Sequence, residues 1–145
     1  MTVDVNLARD ATPELVDALN RLVPQLSSSA TVLTREDVER LIESPVTYLF
    51  TATSDSAIVG TLTLVIFTIP SGRRAWIEDV IVDEASRGCG VGEALTTAAL
   101  DEARRHGVRT VDLTSRPSRV AANSLYQKLG FVVRETNVYR SLVEG

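Results

Sequence analysis

Cysteine and histidine occur once each in this chain of 145 residues, as Cys89 and His106. One cysteine rules out a disulfide framework and a cysteine-based zinc site. One histidine argues against a His-dependent triad or a His-rich metal centre, so no metal is expected. Basic residues are also in deficit: 15 Lys and Arg face 19 Asp and Glu, for a net charge of −4. A nucleic-acid binder would show a basic patch or stripe, and none is visible. The acidic balance suits a cationic substrate such as an amine. Long hydrophobic runs are missing too. The stretch Leu62 to Ile69 is interrupted by Thr63 and Thr68 and is too short to cross a bilayer. Met1 to Asp10 carries Asp4, Arg9 and Asp10 and has no apolar core, so neither a signal peptide nor a membrane association is expected. A cytoplasmic protein is the expectation.

What is present reads as one globular domain over residues 1–145, with 44% hydrophobic and 23% charged residues. Val3, Val5 and Leu7 alternate with polar residues, as in a half-buried strand. Thr12 is a candidate N-cap with Pro13 at the first helical position. Leu15, Val16, Leu19, Leu22 and Val23 follow at helical spacing, and Pro24 with Ser27 to Ser29 closes that helix. Thr34 and Asp37 resemble a capping pair for a second helix through Val38, Leu41 and Ile42. Val46 to Thr53 and Ile58 to Ile69 are rich in β-branched residues and flank Ser54-Asp55-Ser56, a hairpin signature. A strand is expected over Arg74 to Val82, a helix over Gly90 to His106 with Gly107 beyond its end, and a strand over Thr110 to Thr114. A last helix opens at Pro117-Ser118 and ends at Gly130. Phe131 to Val133 and Asn137 to Leu142 read as two closing strands. The order predicts an α+β fold, with a mixed, mainly antiparallel sheet of about seven strands and about four helices.

The most informative segment is Arg87-Gly88-Cys89-Gly90-Val91-Gly92. An apolar strand ends at Val80-Ile81-Val82 before it. An amphipathic helix follows, with Val91, Leu95, Ala98, Ala99 and Ala103 on one face. Backbone N–H groups and the positive end of a helix dipole meet there, an arrangement that favours phosphate. The glycines let backbone approach a ligand closely, and Arg87 adds a charged donor. A Walker loop would place Lys where Glu93 stands. A dinucleotide fingerprint would space its glycines G-x-G-x-x-G, unlike Gly88, Gly90 and Gly92. Asp112, 20 residues past Gly92, could imitate a ribose-binding acid, but Asp83 to Arg87 separates the strand from the first glycine. The competing reading is a turn that simply needs glycine.

At this point the chain resembles the GCN5-related N-acetyltransferase (GNAT) family. Arg87, Gly90 and Gly92 match the family's acetyl-CoA loop. Ile77-Glu78-Asp79-Val80-Ile81-Val82 resembles its fourth strand, and Leu125-Tyr126-Gln127-Lys128-Leu129-Gly130-Phe131 its late helix ending. The likeness covers roughly Ile58 to Phe131 and, more loosely, the whole chain. It implies direct acetyl transfer from acetyl-CoA to a small-molecule or protein amine. The cofactor would rest on Val80, Ile81 and Val82 by strand-like pairing, on the loop Arg87, Gly88, Cys89, Gly90, Val91, Gly92 and Glu93, and on Asn123 and Tyr126. Many members carry an Asn one turn earlier in that helix, where this chain has Arg119, so Arg119 is the alternative contact. Dimerisation is common in the family, which leaves room for a homodimer.

The chemistry then needs a base for the amine, and Glu78 and Asp79 are the candidates. In an unbroken strand they point to opposite faces, with Glu78 sharing the parity of Val80 and Val82. A bulge between them would change that. Glu78 is preferred because it matches a functional acid of some family members. A backbone N–H of Val80 or Ile81 would stabilise the oxyanion, and Tyr126 would donate a proton to the leaving thiolate. Cys89 is read as an incidental small residue, and His106 as a helix-end residue. The acceptor would be selected by Gln25 to Thr34 and by the segment near Thr136 to Tyr139. Two other readings remain: a non-catalytic acyl-CoA-binding regulatory module, and a small NAD(P)-dependent protein, which the glycine spacing disfavours.

Overall fold

The computed structural model describes residues 2–144. They form two compact units, one ending at Thr114 and the other beginning at Ser115. The first unit contains β1 (Asp4–Leu7), α1 (Pro13–Leu26), α2 (Arg35–Glu43), β2 (Thr47–Ser54), β3 (Ala57–Ile69), β4 (Gly72–Val82), α3 (Val91–Arg105) and β5 (Val111–Asp112). The strands lie in sequence order in one sheet. The first four pair antiparallel, and β5 pairs parallel to β4 through Ala75–Val111 and Trp76–Asp112. The sheet is mixed, and the fold class is α+β as expected.

Local chemistry explains where the helices begin. Thr12 Oγ1 accepts the Leu15 N–H at 3.2 Å, with Pro13 at the start of α1. Thr34 and Asp37 form a complete capping box for α2: Thr34 Oγ1 accepts from Asp37 N, and Asp37 Oδ2 from Thr34 N. The Thr34 bonds, backbone first, hold the Asp37 carboxyl below its usual range. Pro24 does not stop α1. It lies in the last turn, and Ser27 N still reaches Val23 O at 3.1 Å.

The two sheet faces are covered by different helices. Leu49 of β2 clusters with Leu15 and Leu19 of α1 and Val38 of α2. Three residues on, Ala52 lies on the opposite face and pairs with Gly60. There a Cβ on Gly60 would come within 2.8 Å of Val91 Cγ1 and 3.1 Å of Leu95 Cδ1, both on α3. Leu22, Leu62, Leu64 and Leu95 are fully buried, each worth about 1.5–3 kcal/mol relative to exposure.

The second unit holds α4 (Val120–Lys128). The two closing strands expected over Phe131 to Val133 and Asn137 to Leu142 are not formed, so among the described residues the sheet has five strands rather than about seven. Val132, Val133, Val138, Tyr139 and Leu142 are exposed. Their β-propensity has no ladder to join, and propensity alone does not make a strand.

Two outcomes are expected. Gly60→Ala should lower stability by roughly 1–3 kcal/mol in denaturant melts, because the new methyl meets Ile81 O at 3.0 Å as well as α3. Ser56→Gly should raise it by about 0.4–1 kcal/mol, because Ser56 holds φ 65° in the two-residue turn between β2 and β3.

Candidate active site

The end of β4 departs from a regular strand. Thr61 pairs with Ile81 and Thr63 with Glu78, so Asp79 and Val80 together oppose Leu62. This is a β-bulge, with Asp79 at φ 46° in the left-handed region. Asp is one of the few non-glycine residues that visit it as single residues. The bulge changes the facing of the strand. Glu78 and Ile81 now lie on the same side, since their partners are two residues apart on β3. Through Thr63 and Leu49, that side is the one carrying α1 and α2. Glu78 is exposed. Val82, opposite Gly60, faces α3 instead.

Beyond β4 the chain makes one 3-10 turn, Glu84–Ser86, which Asp83 caps through Ala85 N at 3.4 Å. Asp83 N donates to Val59 O at 2.8 Å, which ties the turn to β3. The glycine loop follows, with Arg87, Gly88, Cys89 and Gly90 all exposed. Gly88 and Gly90 have φ 78° and 81°, and the space where a side chain would project is open at both. Gly90 is the N-cap of α3 and supplies no side-chain cap. The first bond into the helix runs from Ala94 N to Gly90 O, 3.1 Å. The N–H groups of the first turn have no carbonyl one turn earlier and are turned outward with the helix dipole. Val91, Leu95 and Ala99 are buried and fix the opposite face of α3. Thr96, also buried, donates its hydroxyl to Gly92 O at 2.7 Å. Arg87 folds back on its own strand, Nε to Val82 O at 3.4 Å. Cys89 Sγ lies 3.8 Å from Arg87 O.

Val80, Ile81, Val82 and the loop from Arg87 to Glu93 thus fall in one continuous strand–turn–helix segment. Asn123 and Tyr126 belong to α4 in the second unit. Asn123 Nδ2 donates to Arg116 O at 3.0 Å, within that unit. Tyr126 is buried, its ring edge-on to Phe131 at 5.7 Å. Burial pushes its phenol above the usual value, and the charge of Arg119 opposes the shift in part. Such a phenol keeps its proton at neutral pH and can serve as a general acid but not as a general base there.

The sequence placed Gln25 only at the edge of the acceptor segment and Asp83 only in the spacer before the glycines, and did not single out Arg21. Arg21 Nη1 meets Asp83 Oδ2 at 2.8 Å, and its Nη2 donates to Ile58 O at 2.9 Å. Gln25 Oε1 accepts the Glu84 N–H at 3.0 Å, and its Nε2 lies 3.5 Å from Asp83 Oδ1. The only local signal is the spacing of four between Arg21 and Gln25, which puts both on one face of α1.

The model of the acetyltransferase (GNAT) family matches residues 14–131. A putative acetyltransferase from Agrobacterium tumefaciens has a similar structure, with TM-score 0.84, 25% identity, and 96% of this chain and 99% of that one covered. Glucosamine 6-phosphate N-acetyltransferase 1 of rice is 38% identical over 71 residues, 49% of this chain and 40% of the relative. A mycothiol acetyltransferase of Amycolatopsis mediterranei is 42% identical over 57 residues, 39% of this chain and 19% of the relative. The matched region thus spans less than half the length of these curated relatives. No helix among the described residues is long and apolar enough to cross a membrane.

Because folding holds the Tyr126 proton more tightly, stability should fall as pH rises above the phenol's ordinary value of about 10. In alkaline melts, Tyr126→Phe should abolish that part of the decline. A wild-type decline unchanged in the variant would contradict the assignment.

Proposed function

Because the chain belongs to the acetyltransferase (GNAT) family, we propose that it is an acetyl-CoA-dependent N-acetyltransferase acting on an amine. The observation that carries the reading is the glycine loop. Gly88 and Gly90 hold left-handed backbone with open space above them, at the start of a 15-residue helix. A phosphate chain can approach the backbone there. The family match runs across the boundary at Thr114 and Ser115, which supports reading residues 1–145 as one N-acetyltransferase domain.

Acetyl-CoA would supply an activated acetyl group, transferred as the amine–acetyl bond forms and the thioester bond breaks. The chain's own residues would do the rest. Arg87 and the N–H groups from Gly88 to Glu93 receive the pyrophosphate. The backbone of Val80 to Val82 receives the extended arm, and an N–H of Val80 or Ile81 faces the developing oxyanion. Glu78, on the side of the sheet bearing α1 and α2, takes the proton of the amine, with Asp79 held in the bulge beside it. Tyr126, protonated at neutral pH, would give a proton to the departing sulfur, and Asn123 or Arg119 would hold the cofactor's arm. The acceptor is a small-molecule or protein amine. Amino sugars are the first class to screen, since one relative is named for glucosamine 6-phosphate.

Saturating CoA or acetyl-CoA, at about 100 times the dissociation constant, should add about 2.7 kcal/mol and raise the melting temperature by about 5–10 °C. NAD and ATP should not. No shift with either CoA species would sink the reading. Glu78→Gln should leave that shift intact and lower kcat by roughly a hundredfold or more. Gly90→Ala should cost about 1 kcal/mol of stability from its φ alone, but well over tenfold in CoA affinity.

A further inference from the structure

We propose that Arg21 and Gln25 of α1 are positioning residues for the cofactor loop, holding it in register from the acceptor side of the sheet. This rests on the cofactor reading above. The loop has few anchors of its own. Arg87, Gly88, Cys89 and Gly90 are exposed, and the two glycines allow backbone conformations that side chains would otherwise restrict. What precedes the loop is held firmly. Arg21 spans two strands, with one guanidinium nitrogen on Asp83 at the end of β4 and the other on Ile58 O at the start of β3. Asp83 in turn receives Ala85 N, and its own N–H reaches Val59 O. Gln25, one helical turn further along α1, accepts the N–H of Glu84, the first residue of the turn that delivers Arg87.

The pattern suits a fork rather than a point charge. A lysine at position 21 could meet Asp83 or Ile58 O but could not present two parallel donors in one plane. The Arg21–Asp83 pair is partly open to solvent, with the two side chains 46% and 23% exposed. Its ion-pair strength is therefore small, and its value is geometric: it fixes where the chain leaves β4. A displacement of the turn by a fraction of an ångström moves every N–H of the loop. Two residues past Gln25, α1 gives way to Ser27 and the connection that would select the acceptor. One helix end would thus border both substrates.

The test is calorimetric titration of CoA into the native chain and into Arg21→Ala, Arg21→Lys and Gln25→Ala, with steady-state kinetics on the first amine that reacts. Gln25→Ala is the mild variant, because it removes an uncharged, exposed amide, with its acceptor for Glu84 N and its weak donor to Asp83. Arg40→Ala, whose ion pair with Asp37 lies on α2, is the control. The expected result is a loss of CoA affinity of about tenfold in Arg21→Ala and Gln25→Ala, measured well below their melting temperatures. KM for acetyl-CoA should rise in step, kcat should change little, and Arg21→Lys should recover part of the loss. A purely structural role would lower the melting temperature and leave affinity at native values; that result overturns the proposal. If the native chain itself does not bind CoA, the cofactor reading fails, and the positioning role fails with it. If the native chain binds and all variants bind equally, only the positioning role fails.

Discussion

The pairing of β3 with β4 is the constraint on which the site depends. It is the longest ladder in the sheet, running from Gly60–Val82 to Ile69–Gly72. It is also the ladder in which the bulge sits. Because Asp79 and Val80 share one partner, the strand turns over between Glu78 and Ile81. Glu78 is left toward α1 and α2, while Val82 goes to the face of α3. A regular strand would have sent both the same way. The division of labour proposed for the site, with acceptor chemistry on one side and the cofactor loop on the other, follows from that single extra residue.

Packing then sets the start of α3 against the end of β4. The missing side chain at Gly60 lets Val91, the first residue of α3, come against β3 beside the end of β4. Val91, Leu95, Ala99 and Ala103 bury the helix along its length. The helix is therefore anchored by its apolar face, and its N-terminal N–H groups stay at the loop. Anchoring one face and leaving the terminus open lets a fold offer backbone N–H groups to an anion.

Legibility in the sequence followed the range of the interactions. The capping box at Thr34 and Asp37, the N-cap at Thr12, the hairpin turn at Asp55-Ser56 and the glycine loop depend on residues within one or two turns, and each was readable. The bulge at Asp79 was foreseen only as a condition, because register belongs to the pair β3–β4 and not to β4 alone. The bonds from Arg21 and Gln25 join residues 62 and 59 apart, and no local pattern announces them. The opposite error occurred at Phe131 to Val133 and Asn137 to Leu142. There, β-prone composition suggested strands, but no neighbouring strand is paired with those segments among the described residues.

The bulge also gives β4 a tolerance of length as well as of composition. Asp79 could give way to Asn or Gly, which tolerate its backbone angle. The number of residues between Glu78 and Ile81 has a freedom of its own. Removing one would close the bulge and leave Glu78 opposite Thr63 and Ile81 opposite Thr61, so the layers they face would survive the loss. Along this short stretch a related chain could carry one residue fewer and still keep both faces in place, so a gap here would mark a closed bulge and not a change of layer.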